Sequence, residues 1–186
     1  MISATEARKG VTIELDGQLY RVVDYSHIKM GRGSAQVRLK LRDIRSGHTV
    51  ERAFQSTEKL TPARLESRHA QYLYREDDLF YFMDTDTFEQ FTLGMAQMEG
   101  VTEYLKEDMP IEISVYKDKP LGVQLPVTVE LRVAETGPAF KGDTATAGTK
   151  PATMETGLKV QVPMFTKVGD LLKIDTRTGE YLERAG

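Results

Sequence analysis

Val37, Leu39 and Leu41 alternate with Arg38, Lys40 and Arg42, the period of two that marks a strand with one buried and one solvated face. The cations of this segment therefore share a face. Val127, Val129, Leu131 and Val133 repeat the alternation, as do Leu158, Val160 and Val162. Other short strands are predicted at Leu19 to Ile28, Thr49 to Gln55, Gln71 to Tyr74, Leu79 to Met83, Ile111 to Tyr116 and Leu171 to Asp175, and a long one at Gly122 to Val133. The long strand is expected to carry the chain from a second structural block into a third. Helical signal is sparse. Thr87 to Gln97, extended by Met95 to Glu99, suggests a turn or two of helix, interrupted by Gly94. Short strands with closely spaced turn signals predict an all-β chain of small barrels or sandwiches. Among small barrels, OB-type folds often bind oligonucleotides, so the architecture permits a nucleic-acid partner without establishing one.

Residue content narrows the chemistry. The chain has no Cys and three His, at 27, 48 and 69, which removes disulfides, thiolate zinc sites and cysteine nucleophiles and leaves little for a metal site. No metal and no cofactor are expected, and stability must come from packed cores. No apolar run approaches the roughly 18 residues of a membrane-spanning helix, and the first residues lack a cationic start followed by an apolar stretch. A cytoplasmic protein without a membrane partner is expected.

The net charge of −3 argues against a generic nucleic-acid binder, but the average conceals an asymmetry. Three blocks of about 60 residues, a size at which small domains fold only marginally, are expected at 1–64, 65–127 and 128–186. The first holds 12 basic and 7 acidic side chains, net +5; the second 5 and 13, net −8; the third 8 and 8, net 0. Residues 29–52 alone carry seven cations against Asp43 and Glu51. Such a distribution fits one end that meets a polyanion, or equally an ordinary solvated surface.

Three segments can carry chemistry. Lys29-Met30-Gly31-Arg32-Gly33-Ser34 lies between two strand-like runs and predicts a hairpin with Arg32 at its tip. With flanking strands of about eight residues, the finger is roughly 25 Å long, enough to enter a deep cleft. A plain turn with an incidental surface Arg accounts for the same residues. Gly142-Asp143-Thr144-Ala145-Thr146, within a run of small polar residues between Lys141 and Lys150, can contact phosphates, riboses or base edges with the lysines supplying charge. A flexible connector is the preferred account of the run from local sequence alone. Asp175-Thr176-Arg177-Thr178-Gly179-Glu180-Tyr181 reads as a hairpin turn in which Arg177 can pair with phosphate and Tyr181 can stack. Asp84 and Asp86 are paired carboxylates, but caps of a short helix are the better reading. No Walker loop, His-Glu-x-x-His or Gly-x-Ser-x-Gly is present.

Taken together, Lys29 to Gly33, Phe82-Met83-Asp84-Thr85, Gly142-Asp143-Thr144, Lys150-Pro151-Ala152-Thr153, Gly157 through Pro163 and Asp175 to Tyr181 make the chain resemble, end to end, the bacterial translation elongation factor P family, which is related to the initiation factor 5A proteins. The resemblance implies an N-terminal SH3-like (KOW-type) barrel followed by two OB-fold barrels. It also implies a monomeric, non-enzymatic factor that binds the 70S ribosome between the peptidyl-tRNA and exit sites and relieves stalling at consecutive prolines. By the same resemblance, Arg32 meets the acceptor end of the prolyl peptidyl-tRNA, within a finger of Lys29, Met30, Gly31, Gly33 and Ser34. Gly142, Asp143, Thr144, Ala145 and Thr146 lie near the mRNA codon of the exit site, and Arg177 and Tyr181 face RNA. Arg32 places the chain among the arginine-tipped members, some of which are rhamnosylated, so the resemblance implies either an unmodified tip or one on which an arginine-modifying enzyme has acted. Two positions depart from the family pattern: Met30 stands where proline is common, and Thr166 where an aliphatic residue is usual. The alternative is a general single-strand RNA-binding β-barrel protein acting off the ribosome.

Overall fold

The computed structural model describes residues 1–28, 33, 35–138 and 148–186. Its strands sort into three antiparallel sheets that follow one another along the chain.

The first sheet contains β1 (Ile2–Ser3), β2 (Thr12–Leu15), β3 (Gln18–Ile28), β4 (Gln36–Asp43), β5 (Thr49–Gln55) and β6 (Lys59–Pro62), in the order β1-β6-β2-β3-β4-β5. The turn between β2 and β3 uses Asp16 and Gly17, both at positive φ (53° and 75°). Two left-handed residues match the twist of a tight hairpin, and Asp-Gly is the dipeptide that adopts them at least cost. β4 is organised as its period of two requires: Val37, Leu39 and Leu41 are fully buried, while Arg38 and Lys40 are exposed. The buried three join Ile13, Val22, Phe54 and Leu60 in the first core.

The second sheet contains β7 (Glu66–Glu76), β8 (Leu79–Asp84), β9 (Gln90–Gly94), β10 (Pro110–Tyr116) and β11 (Lys119–Gln124), in the order β11-β10-β7-β8-β9. The third contains β12 (Thr128–Thr136), β13 (Thr149–Met154), β14 (Lys159–Pro163), β15 (Leu171–Asp175) and β16 (Tyr181–Arg184), in the order β14-β13-β12-β15-β16. Each has its own core. Phe80, Phe82, Leu93, Met98 and Ile113 anchor the second, and Leu131, Met154, Val162, Leu172 and Ile174 the third.

Two expectations are corrected. Residues 87–97 are not a helix: Gln90–Gly94 is a strand paired to β8, with Phe91 opposite Phe82 and Leu93 opposite Phe80. The Phe82 and Phe91 rings stack at 5.5 Å, and burial of Leu93 beside half-buried Phe91 rewards a period of two over a weak helical preference. Met95–Met98 and Thr102–Tyr104 form single turns of 3-10 helix, as Ala4–Glu6 does in the first block. The long strand expected at Gly122 to Val133 is broken after Gln124. Pro126 has no N–H for a ladder, and its carbonyl instead accepts the Thr176 hydroxyl at 2.5 Å. Val127 is exposed, and its carbonyl accepts the Thr176 N–H at 3.0 Å. The chain changes sheets here.

Six strands, β1, β2, β6, β9, β13 and β16, had no counterpart in the pattern reading. Most are short strands that gain their stability from a longer neighbour.

Candidate nucleic-acid interface

The hairpin of β3 and β4 has the longest ladder of the first sheet. Its ladder runs from Tyr20 opposite Asp43 to Ile28 opposite Gln36, with a bulge between Val22 and Asp24. Gly33 is exposed, and a Cβ added to it would meet nothing within 4 Å, so the chain there stands clear of the rest of the protein. Lys29, Met30, Gly31, Arg32 and Ser34 lie outside the described residues.

On the outward face of the hairpin the register decides which charges are available. Lys40 lies opposite Asp24 on one side and Glu51 on the other. Arg42 forms an ion pair with Glu99 of the second block. Arg38 has only Ser26 and Ala53 as direct cross-strand neighbours. The shared cationic face is therefore graded, with its least opposed member nearest the tip.

A second cationic group had no signal in the strand pattern. The Arg8 guanidinium lies 4.4 Å from the centre of the Tyr25 ring, and His27 meets the same ring edge-on at 5.3 Å. The Tyr25 hydroxyl is buried without a hydrogen-bond partner among the described residues. Arg8 comes from the loop before β2, far enough in sequence from Tyr25 that local periodicity could not pair them.

Gly142, Asp143, Thr144, Ala145 and Thr146, with Lys141, also lie outside the described residues. The lysine on the far side of that segment departs from its expected role. Lys150 is buried on the inward face of β13 with Ala152 and Met154, and its ammonium donates to the Gly137 carbonyl at 2.7 Å. Its apolar stem follows the core while the charged head reaches a backbone acceptor, so it offers no phosphate an open charge.

The β15–β16 turn is a reversal, as expected, with Gly179 at φ 75°. Arg177 is 69% exposed along its side chain, yet its guanidinium is bound to the Asp175 carboxylate of its own turn. That contact first, and the Arg177 N–H next, hold the Asp175 carboxyl down at about 2. Tyr181 is half-buried and packs against the third core. Asp84 caps a turn rather than a helix. Its Oδ1 accepts the N–H groups of Asp86 and Thr87 at 2.8 and 3.0 Å, which lowers its pKa. Among the described residues no group of three or more His, Asp or Glu is placed to hold a metal ion, and no helix is long and apolar enough to cross a membrane.

An SH3-like barrel whose β3–β4 hairpin bears exposed cations, followed by two OB-type barrels, matches the domain order of a class of translation factor. Sequence comparison gives the same answer along the whole chain. The model for the elongation factor P KOW-like domain matches residues 3–60, that for its OB domain residues 65–123, and that for its C-terminal domain residues 129–184. An elongation factor P of Thermoanaerobacter sp. (strain X514) is 52% identical over 184 residues, covering 99% of this chain and 100% of that relative. One from Moorella thermoacetica is 52% identical over 185 residues, covering both chains completely. Among solved structures, an initiation factor 5A from Methanococcus jannaschii shares the fold at a TM-score of 0.53 and 22% identity, over 66% of this chain and 90% of that one. The chain belongs to the elongation factor P family and is a translation elongation factor.

Proposed function

We propose that the protein binds the 70S ribosome as a cytoplasmic monomer, between the peptidyl-tRNA and exit sites, and promotes peptide bonds between consecutive prolines by positioning the peptidyl-tRNA. The observation that carries this reading is the β3–β4 hairpin, whose ladder is paired as far as Ile28 opposite Gln36, the residues that flank the Lys29 to Ser34 segment in sequence. Proline is a poor reactant because its ring fixes φ and its nitrogen is secondary. A cation held beside the acceptor end of prolyl-tRNA restricts the ester to reactive orientations, and orientation alone can supply a large part of a barrier reduction. In this reading Arg32 makes that contact and the protein supplies no active site. Gly142 to Thr146 meet the mRNA at the exit site, and Arg177 and Tyr181 face RNA nearby. An arginine-modifying enzyme acting on Arg32 extends the reach of the tip.

The division into domains at 1–64, 65–127 and 128–186 belongs to the same proposal, supported by one sheet and one core within each span. The test is a purified translation system programmed with a message encoding consecutive prolines. Arg32→Ala is expected to remain folded by circular dichroism and to lose the acceleration of proline–proline bond formation. Full activity of Arg32→Ala overturns the role of the tip. Tight binding to unstructured RNA without ribosomes would favour a factor acting elsewhere.

A further inference from the structure

The first and second sheets are joined by polar contacts between side chains. Glu14, at the end of β2, accepts the Tyr116 hydroxyl at 2.5 Å and the Lys117 ammonium at 3.3 Å. Arg42 pairs with Glu99, and Gly47 backs onto Ala96, whose Cβ would lie 3.4 Å from a Cβ added there. These contacts border two clefts that share Asp43. One is lined by Glu14, Tyr116 and Lys117, the other by Arg42 and Glu99. Among the described residues the first core draws only on residues 2–60. The second junction is built differently, because Tyr104 and Met109 pack directly against the third core. The Thr156 hydroxyl also donates to the Glu103 carbonyl across it at 2.5 Å.

The backbone at the first junction carries a cost set by a tight hairpin, which joins paired Tyr116 and Lys119 through two left-handed residues. Lys117 and Asp118 form the β10–β11 turn with φ of 48° and 61°, a conformation that glycine or asparagine adopts with less strain than lysine. Asp118 is held within its own sheet by Arg68, at 2.6 Å. Lys117 is held by the other domain. Its ammonium lies 4.9 Å from the centre of the Tyr116 ring and reaches Glu14. Strained non-glycine residues persist where the surroundings over-determine them, and such places are often functional.

We propose that Glu14, Tyr116 and Lys117 form a polar clamp that sets the angle between the first two domains and thereby aims the β3–β4 hairpin relative to the third domain. These are positioning residues: none needs to touch tRNA. The inference rests on the reading that the hairpin acts at the ribosome, since only then does its angle matter. A polar clamp suits this place because it holds a defined geometry while burying little apolar surface. Loss of one contact loosens the angle without unfolding either core.

The chain contains no cysteine, so Thr57→Cys and Glu89→Cys, both at exposed positions, give a unique pair of spin labels across the junction. Pulsed electron paramagnetic resonance is expected to give one narrow distance distribution for the otherwise unaltered chain. Glu14→Gln and Tyr116→Phe, one change in each domain and both nearly isosteric, are each expected to broaden or shift it with little change in melting temperature. Lys117→Gly is expected to broaden it while the melting temperature holds or rises, a combination that a purely local structural role does not produce. A distribution unchanged in all three variants overturns the clamp. In the proline–proline assay, the loosened variants are expected to lose rate, by up to about 100-fold, as a misplacement of about 1 Å caused far from the chemistry can. A broadened distribution with an unchanged rate overturns the positioning role. If Arg32→Ala also retains full activity, the ribosomal reading fails, while the distance measurement still decides whether the clamp exists.

Discussion

Arg177 grips Asp175 at two points, Nη2 to Oδ2 at 2.6 Å and Nε to Oδ1 at 3.1 Å, and donates its N–H to the same Oδ1 at 2.8 Å. Two parallel bonds fix the guanidinium plane as well as its position. One carboxylate thus shapes the turn and governs how much positive charge the turn presents. The outer side of the guanidinium remains open to solvent, so Arg177 can meet a phosphate while still bound to Asp175.

This geometry sets a pH dependence. The Asp175 pKa is about 2 in the folded chain, against about 3.9 for an unconstrained aspartate. Its stabilising contribution is present above the unfolded value and is lost as pH falls from about 4 through 2. Asp175→Asn is therefore expected to lower the melting temperature at pH 7, and the difference from the unaltered chain should shrink across that acid window. A difference that stays constant down to pH 2 would mean that the carboxylate charge is not what matters.

Thr166 is 1% exposed and its hydroxyl has no hydrogen-bond partner among the described residues, although its N–H donates to the Pro163 carbonyl at 3.0 Å. An unpartnered buried hydroxyl costs about 1–3 kcal/mol. Thr166→Val keeps the branched shape and removes the polar atom, so a gain of about 1 kcal/mol in urea unfolding is expected. A loss of stability in this variant would count against the packing described.

Arg38 and Lys40 occupy the same face of β4 but have different surroundings. If the hairpin lies along RNA, Arg38→Ala should reduce the salt dependence of ribosome affinity by about one unit of log–log slope. Lys40→Ala should reduce it by less, because Asp24 and Glu51 already oppose its charge. Equal slopes for the two variants would show that the acids beside Lys40 do not matter.

How much of this was legible in the sequence differs from element to element. β4 was readable because a half-buried strand writes its two faces into alternate residues, whereas Thr49 to Gln55 was predicted with the bounds observed although only Phe54 of β5 is buried. β9 was misread because Met95 to Glu99 extends an apparent helix, whereas the deciding partners, Phe80 and Phe82, belong to another strand. Lys150 was taken for a surface cation because its type outweighed its place. Its alternation with Ala152 and Met154 marks it as inward-facing. The family motifs pointed to the translation factor before any geometry was available, since several ordered motifs are more specific than any one.

The sequence by itself determined the class of fold, the uneven distribution of charge and the segments able to meet RNA, because periodicity and composition are local properties. Tertiary structure decided which charges are committed and how the domains are held. Lys40 is flanked by acids only once three strands are in register, and Arg42 meets Glu99 only once two domains come together. Glu14 and Tyr116 lie 102 residues apart and still share a hydrogen bond. Such partners are chosen by the packing of separate sheets, and no pattern within either segment encodes the choice.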